Sequence, residues 1–378
     1  MLPSSNRSKR PILHDSAALL IQVLVVDDSA VVRQVMQAVL SQESDMEVVV
    51  AADPIIALHK MKQVRPHVII LDLEMPQMDG LTFLRKVMAE DPIPTLICSS
   101  VAGRGTVAAI RALEEGAIGI VTKPKLGVGN FLHESAVMLI DTVRSAASAR
   151  MRKRTRVASP QPRKLSGSKI NAASVSSKEE RIVVIGASTG GTEALAQILG
   201  ALPTEAPGIV IVQHMPEQFT AAFAKWLDTN CAIHVKEAAD GDRVKRGWAF
   251  VAPGNRHSTI RHASGHLTIQ VSDGPLVSRH RPSVNALFRS VAQAAGDSAL
   301  GVILTGMGDD GADGLLEMRA AGAFTIAQNE ASCVVFGMPK EAIRRGAAHR
   351  VLALDAIPAA VASFGIHGSK LSRSGGSE

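Results

Sequence analysis

Short apolar runs alternate with amphipathic segments along most of this chain. "QVLVV", "EVVVAA", "HVIILDL", "PTLICSS" and "GIVTKP" lie in its first third, and "RIVVIG", "GIVIVQ", "ALGVILTG" and "GAFTIAQ" in its second half, with a further strand around "HRVLAL". A run that is apolar at nearly every position suits a strand buried on both faces, and the helical patterns between runs supply the crossovers that parallel strands require. Those patterns begin near Ala30, Pro54, Gly80 and Gly105, and return at residues 192–202, at 216–229 and near Pro339. In "PSVNALFRSVAQAAG" the residues Val284, Leu287, Phe288 and Val291 fall on one helical face. The pattern predicts an α/β chain of two doubly wound parallel-sheet domains. Between Ala232 and Asp273 the texture changes to shorter runs, "HVKEA", "GWAFVAPG" and "HLTIQVSDG", separated by turn signals, which predicts a small antiparallel insertion in the second domain.

The two halves are separated by a stretch of different chemistry. Residues 150–180 carry nine Lys/Arg against two Glu, many serines and no apolar period. Such a composition buries too little surface to order itself, so a flexible basic linker is expected at 143–180, with tails at 1–20 and 367–378. The linker also accounts for the formal net charge of +6, leaving the folded parts near neutral. That argues against a nucleic-acid-binding surface, and no basic helix-turn-helix module follows residue 181. The longest apolar candidate, "AALLIQVLVV", stops at Asp27-Asp28, short of the roughly 18 to 20 residues a spanning helix needs. No signal-like segment stands at the start, so a cytoplasmic protein without direct membrane insertion is expected. Cys98, Cys231 and Cys333 are widely spaced, which suits core thiols better than a disulfide or zinc framework.

In a parallel sheet, functional groups collect beyond the carboxyl ends of the strands. In the first domain those ends carry Asp27 and Asp28, then Asp72, Ser99 and Lys123. Three carboxylates converging on one place repel one another unless a cation sits among them, and an all-oxygen set suits a hard ion such as Mg2+. Lys123 adds a positive charge able to meet a phosphoryl oxygen.

In the second domain Ser188 follows a buried strand inside Gly186-Ala187-Ser188-Thr189-Gly190, a G-x-S-x-G pattern. Glycines on either side allow a tight turn that exposes the hydroxyl. The phosphate-cradle alternative lacks both the Gly-x-Gly-x-x-Gly spacing and the Gly-Lys-Ser/Thr of a P-loop. The pattern alone leaves nucleophile and structural turn equally open. A serine needs a base and an orienting carboxylate. The next strand ends at His214, and a later one ends at Asp309 and Asp310, all on one sheet edge. His280, in "SRHRPS", is the best rival histidine, and a surface or substrate-contact role suits it better than that of a base.

"VVDDS", "LDLEMPQMDG" and "TKP" in this order resemble the receiver domain of two-component response regulators, over roughly residues 21–142. The resemblance implies a flavodoxin-like fold in which Asp72 accepts a phosphoryl group, Asp27 and Asp28 help Asp72 hold Mg2+, Ser99 senses the phosphoryl group and Lys123 pairs with it. Ile120 stands where receivers commonly carry an aromatic residue. "GASTGGTEAL", "QHMPEQFT", "RHRPSVNALF", "VILTGMGDDGADGL" and "AQNEASCVVFGMP" resemble the chemotaxis protein-glutamate methylesterases. That implies a Rossmann-like three-layer catalytic domain at 181–366, which hydrolyses glutamate methyl esters and deamidates glutamines on methyl-accepting chemotaxis receptors, needs no cofactor for the esterase reaction, and takes its phosphoryl group from a chemotaxis histidine kinase. The family's triad falls on Ser188, His214 and Asp310, with Asp309 as the neighbouring alternative. Backbone amides near Thr189 and Met307 are the candidate oxyanion donors.

Overall fold

The computed structural model describes residues 20–75, 78–99, 104–124, 129–151 and 181–367. The amino-terminal tail up to residue 19, residues 152–180 of the expected linker and the tail beyond 367 lie outside the described residues.

The first sheet contains β1 (Ile21–Val26), β2 (Met46–Ala51), β3 (Val68–Asp72), β4 (Thr95–Ser99) and β5 (Gly119–Thr122), in the order β2-β1-β3-β4-β5. Every pairing is parallel. β3 is buried at each position while edge strand β2 is mostly half-exposed, as a sheet covered on both faces requires. The crossovers are α1 (Ala30–Leu40), α2 (Pro54–Gln63), α3 (Gly80–Glu90) and α4 (Arg104–Glu114), and α5 (Gly129–Ala147) closes the domain. Ser29, Asp53 and Asp79 cap the first three helices by accepting the amides of Val32, Ile56 and Thr82.

The second sheet is formed by β6 (Ile182–Ala187), β7 (Gly208–Gln213), β8 (His234–Glu237) and β9 (Trp248–Val251), and outside it β10 (His257–Ala263) and β11 (His266–Ser272) pair as an antiparallel hairpin. β12 (Ala299–Ile303), β13 (Phe324–Gln328) and β14 (Arg350–Leu352) complete the parallel order β14-β13-β12-β6-β7-β9-β8. α6 (Gly191–Gly200), α7 (Glu217–Asn230) and α11 (Ile357–His367) cover one face, where Leu195, Phe219, Phe223 and Phe364 are buried. α8 (Val284–Ala295), α9 (Ala312–Ala320), α10 (Met338–Arg344) and the hairpin cover the other. The result is three layers. The stripe of Val284, Leu287, Phe288 and Val291 is fully buried against the sheet.

The expected antiparallel insertion is present, and its extent and that of the last helix of the first domain differ from the sequence reading. The antiparallel insertion is confined to β10 and β11: β8 and β9 pair parallel with each other and extend the main sheet, because α7 and the 238–247 connection bring both back in the same direction. The boundary at residue 142 falls inside α5, which continues to Ala147 because Val143 and Ala146 are buried in the first domain's core. Described structure then reaches Met151, and the Arg150 amide donates to the Val334 carbonyl of the second domain.

Candidate active site

In the first domain the strand ends converge as the sequence predicts. One carboxylate oxygen from each of Asp27, Asp28 and Asp72 lies within 4.8 Å of the others. Lys123 Nζ sits 2.7 Å from Asp72 Oδ2 and 3.0 Å from Asp27 Oδ2. Burial raises the Asp72 pKa, and the Lys123 ammonium only partly offsets it. Asp27 Oδ2 is buried and, despite the nearby ammonium, accepts no aligned hydrogen bond. Three carboxylates met by one ammonium keep a net negative charge, and their oxygens fit a hard divalent cation. Ser99 is 5% exposed at the end of β4, and its carbonyl accepts the Lys123 amide at 3.0 Å, so the two phosphoryl-facing candidates are held side by side.

In the second domain β6 lies between β7 and β12, so the chain departs from β6 to opposite sides of the sheet. That is the switch point where open parallel sheets leave a crevice. Ser188, His214 and Asp310 follow these three strands. The Ser188 amide donates to Thr305 and its carbonyl accepts the Gly191 amide, forming a tight turn into α6. Gly190 adopts φ 76°, and a Cβ there would lie 2.5 Å from Val334, so both backbone and space call for glycine.

Asp310 is 1% exposed and is the most heavily hydrogen-bonded carboxylate of the site. Its Oδ1 accepts from Ser283 Oγ at 2.7 Å and the Asn285 amide at 3.0 Å, and its Oδ2 accepts from the Val284 amide at 2.7 Å. These donors are the amino terminus of α8 and its capping serine, a ready anion site. Burial alone would raise the Asp310 pKa, but His214 and the backbone donors outweigh it and hold the carboxyl below its usual range. His214 Nε2 lies 2.9 Å from Asp310 Oδ2. With Nε2–H given to Asp310, the nitrogen left to take a proton is Nδ1, which is buried and has no partner. Ser188 Oγ does not yet reach it; such contacts often close only when substrate is bound.

Asp309 is turned elsewhere. Its side chain is 48% exposed and its Oδ2 accepts from Arg345 at 2.8 Å. Of the two neighbouring carboxylates, it is Asp310 that contacts His214, while Asp309 contacts Arg345. Sequence reasoning offered His280 a surface or substrate-contact role, and of the two the structure disfavours the first: its ring stacks on His214 with centroids 3.8 Å apart and planes 7° from parallel. Burial, then the nearby His214, pushes its pKa down to about 4. It is a neutral, flat wall beside the base. The only sequence sign was its place just before capping residue Ser283. The Thr189 and Met307 amides donate no hydrogen bond among the described residues, as free oxyanion donors would.

The first domain lies directly against this turn. The Gly190 amide donates to the Ile118 carbonyl at 3.0 Å, and Ser145 Oγ donates to Thr189 Oγ1 at 2.7 Å. Around them Arg150 pairs with Glu330 at 2.8 Å, Arg279 lies 3.6 Å from Asp141, and Trp226 Nε1 donates to Glu114.

Comparison with known proteins agrees with both halves. The CheB methylesterase family matches residues 183–361, and the response regulator receiver domain family matches residues 23–127. Protein-glutamate methylesterase/protein-glutamine glutaminase 1 of Anaeromyxobacter dehalogenans is 55% identical over 91% of this chain and 99% of its own length. The enzyme numbered 5 from the same organism is 57% identical over 89% of this chain and 95% of its own. Enzyme 3 of Geobacter metallireducens is 55% identical over 89% and 97%.

Proposed function

Because the chain belongs to the CheB methylesterase family and carries a receiver domain ahead of its catalytic domain, we propose that it is a phosphorylation-regulated protein-glutamate methylesterase and protein-glutamine deamidase. Its substrates are methyl-accepting chemotaxis receptors, met on their cytoplasmic side. The observation that carries the chemistry is the Asp310–His214 pair beside the Ser188 turn, with His214 Nδ1 left bare.

His214 Nδ1 takes the proton of Ser188 Oγ as the oxygen attacks the ester carbonyl, and Asp310 stabilises the imidazolium. The oxyanion is met by the amides of Thr189 and Met307; such a donor is typically worth about 3 to 4 kcal/mol. The imidazolium returns its proton to the departing methoxide, releasing methanol. Water, deprotonated by His214, then cleaves the acyl-enzyme, giving the glutamate carboxylate and free Ser188. With a glutamine substrate the group that departs is ammonia. In this scheme the nucleophile, the base and the oxyanion donors come from the chain, and water is the second substrate.

In the receiver domain, the Asp72 carboxylate is the phosphoryl acceptor and a chemotaxis histidine kinase the donor. Asp27, Asp28 and Asp72 would hold Mg2+, which when bound neutralises phosphoryl charge. Lys123 pairs with a phosphoryl oxygen, and the Ser99 hydroxyl senses the group. Unphosphorylated, the receiver blocks the nucleophile turn through Ile118 and Ser145. We assign the receiver to residues 21–151 rather than ending it at 142, the linker to 152–180 and the catalytic domain to 181–367.

The test is hydrolysis of methylated receptor with and without a phosphodonor. Ser188→Ala and His214→Ala should each leave a folded protein whose turnover is reduced by several orders of magnitude, because nucleophile and base act as a unit. Near-native turnover in either variant would remove the triad assignment.

A further inference from the structure

Gln213 ends β7, is 3% exposed, and spends its side chain on backbone. Its Nε2 donates to the carbonyl oxygen of Ser188 at 3.0 Å and to that of His214 at 3.0 Å. A primary amide nitrogen has two hydrogens, and these two acceptors use both. The parallel ladder between β6 and β7 ends with Ala187 opposite Gln213, and its last bond runs from the His214 amide to the Ala187 carbonyl. Ser188 and His214 thus stand one residue beyond the paired positions, each held to a neighbouring strand by its amide alone, the Ser188 amide on Thr305 and the His214 amide on Ala187, with no ladder bond between the two. The Gln213 amide bridges their two carbonyls directly.

Gly191 supplies a second, independent observation. It does not adopt a positive φ, so its backbone accepts any residue. A Cβ there would nonetheless lie 2.2 Å from Gln213 Oε1. Glycine at 191 makes room for the Gln213 side chain and for the Ala187 Cβ, which would lie 2.7 Å from the same point. Oε1 itself is buried with no partner, so the side chain holds this pose at a cost.

We propose that Gln213 is a positioning residue that sets the distance between nucleophile and base, an inference that rests on the Ser188–His214–Asp310 reading. The side-chain hydrogen bonds of Gln213 go to backbone carbonyls, so its loss should change turnover and leave substrate affinity nearly as it was.

The experiment uses the full chain with a small phosphodonor and methylated receptor, comparing Gln213→Met, Gly191→Ala and the double variant with the parent. Gln213→Met keeps the length of the side chain and loses both donors. It should lower kcat roughly 10- to 100-fold, the range expected when reacting groups shift by about 1 Å, with KM within about threefold. Labelling of Ser188 by a fluorophosphonate should slow in parallel. Gly191→Ala displaces the same side chain and also presses on the Ala187 Cβ, so it should lower kcat at least as far as Gln213→Met, and the double variant should be no worse than Gly191→Ala alone. A kcat within twofold of the parent overturns the proposal. So does a loss that disappears once turnover is expressed per folded molecule, and so do losses that multiply in the double variant. Ser188→Ala, run alongside, separates the two readings: if it stays active the triad fails, and if it is dead while Gln213→Met is normal only the role of Gln213 fails.

Discussion

Adjacent carboxylates at 309 and 310 have opposite environments, and that difference sets their expected mutational costs. Asp310 is buried on the α8 amino terminus and holds His214; Asp309 is half-exposed and tied to Arg345, which also pairs with Asp313. Asp310→Asn should lower kcat/KM by roughly 10^3-fold or more, by analogy with other triads that lose the charge orienting their base. Asp309→Asn should cost less than about 10-fold, since it removes only a partly solvated ion pair. The reverse order in steady-state kinetics would move the orienting role. His280 carries a pH prediction. Its pKa is lowered from 6.5 to about 4 in the folded protein, chiefly by burial. Stability from this group is therefore fully present above about pH 6.5 and is lost as pH falls towards 4, where the unfolded chain takes up a proton the native ring refuses. The loss is on the order of 3 kcal/mol at the lower end. Thermal unfolding midpoints measured across that window should fall less steeply in His280→Asn than in the parent.

Among the elements, α8 links packing to chemistry. Its buried stripe pins the helix to the sheet, and its first turn then presents the Val284 and Asn285 amides to Asp310. Ser283 serves both ends of this arrangement, accepting the Ala286 amide at 3.3 Å and donating to Asp310 Oδ1 at 2.7 Å. Ser283→Ala should cost about 1 to 2 kcal/mol in denaturant unfolding through loss of the cap and of a buried hydrogen bond. It should also reduce kcat measurably, because Asp310 loses one of the donors that keep it ionised and fixed. A variant as stable and as active as the parent would show that the helix amides suffice without the serine.

At the level of the whole molecule, the receiver and catalytic domains share contacts at the nucleophile turn itself, where Gly190 meets Ile118 and Thr189 meets Ser145. A fragment beginning at about residue 178 should accordingly hydrolyse receptor esters faster than the unphosphorylated full chain. Asp72→Asn should abolish stimulation by a phosphodonor and keep basal activity. A fragment no faster than the full chain would replace blocking with direct activation by the receiver. Both parallel sheets, the helices between them and the residues at their carboxyl ends were legible from the chain alone, because a strand buried on both faces and a helix buried on one leave periods of their own. Ser188, His214, Asp72, Lys123 and the pair Asp309–Asp310 were placed at strand ends on that basis, and the family resemblance favoured Asp310 within the pair. The parallel setting of β8 and β9 was not legible, since short strands have the same composition in either direction. Neither was the extension of α5 past residue 142, nor the stacking of His280 on His214, because each depends on surfaces brought together from distant parts of the chain. Which of Asp309 and Asp310 lies against His214, and how closely Gln213 approaches Gly191, are set by distances of a few ångströms across neighbouring strands. Local composition and period carry no record of such distances; only the packed sheet edge sets them.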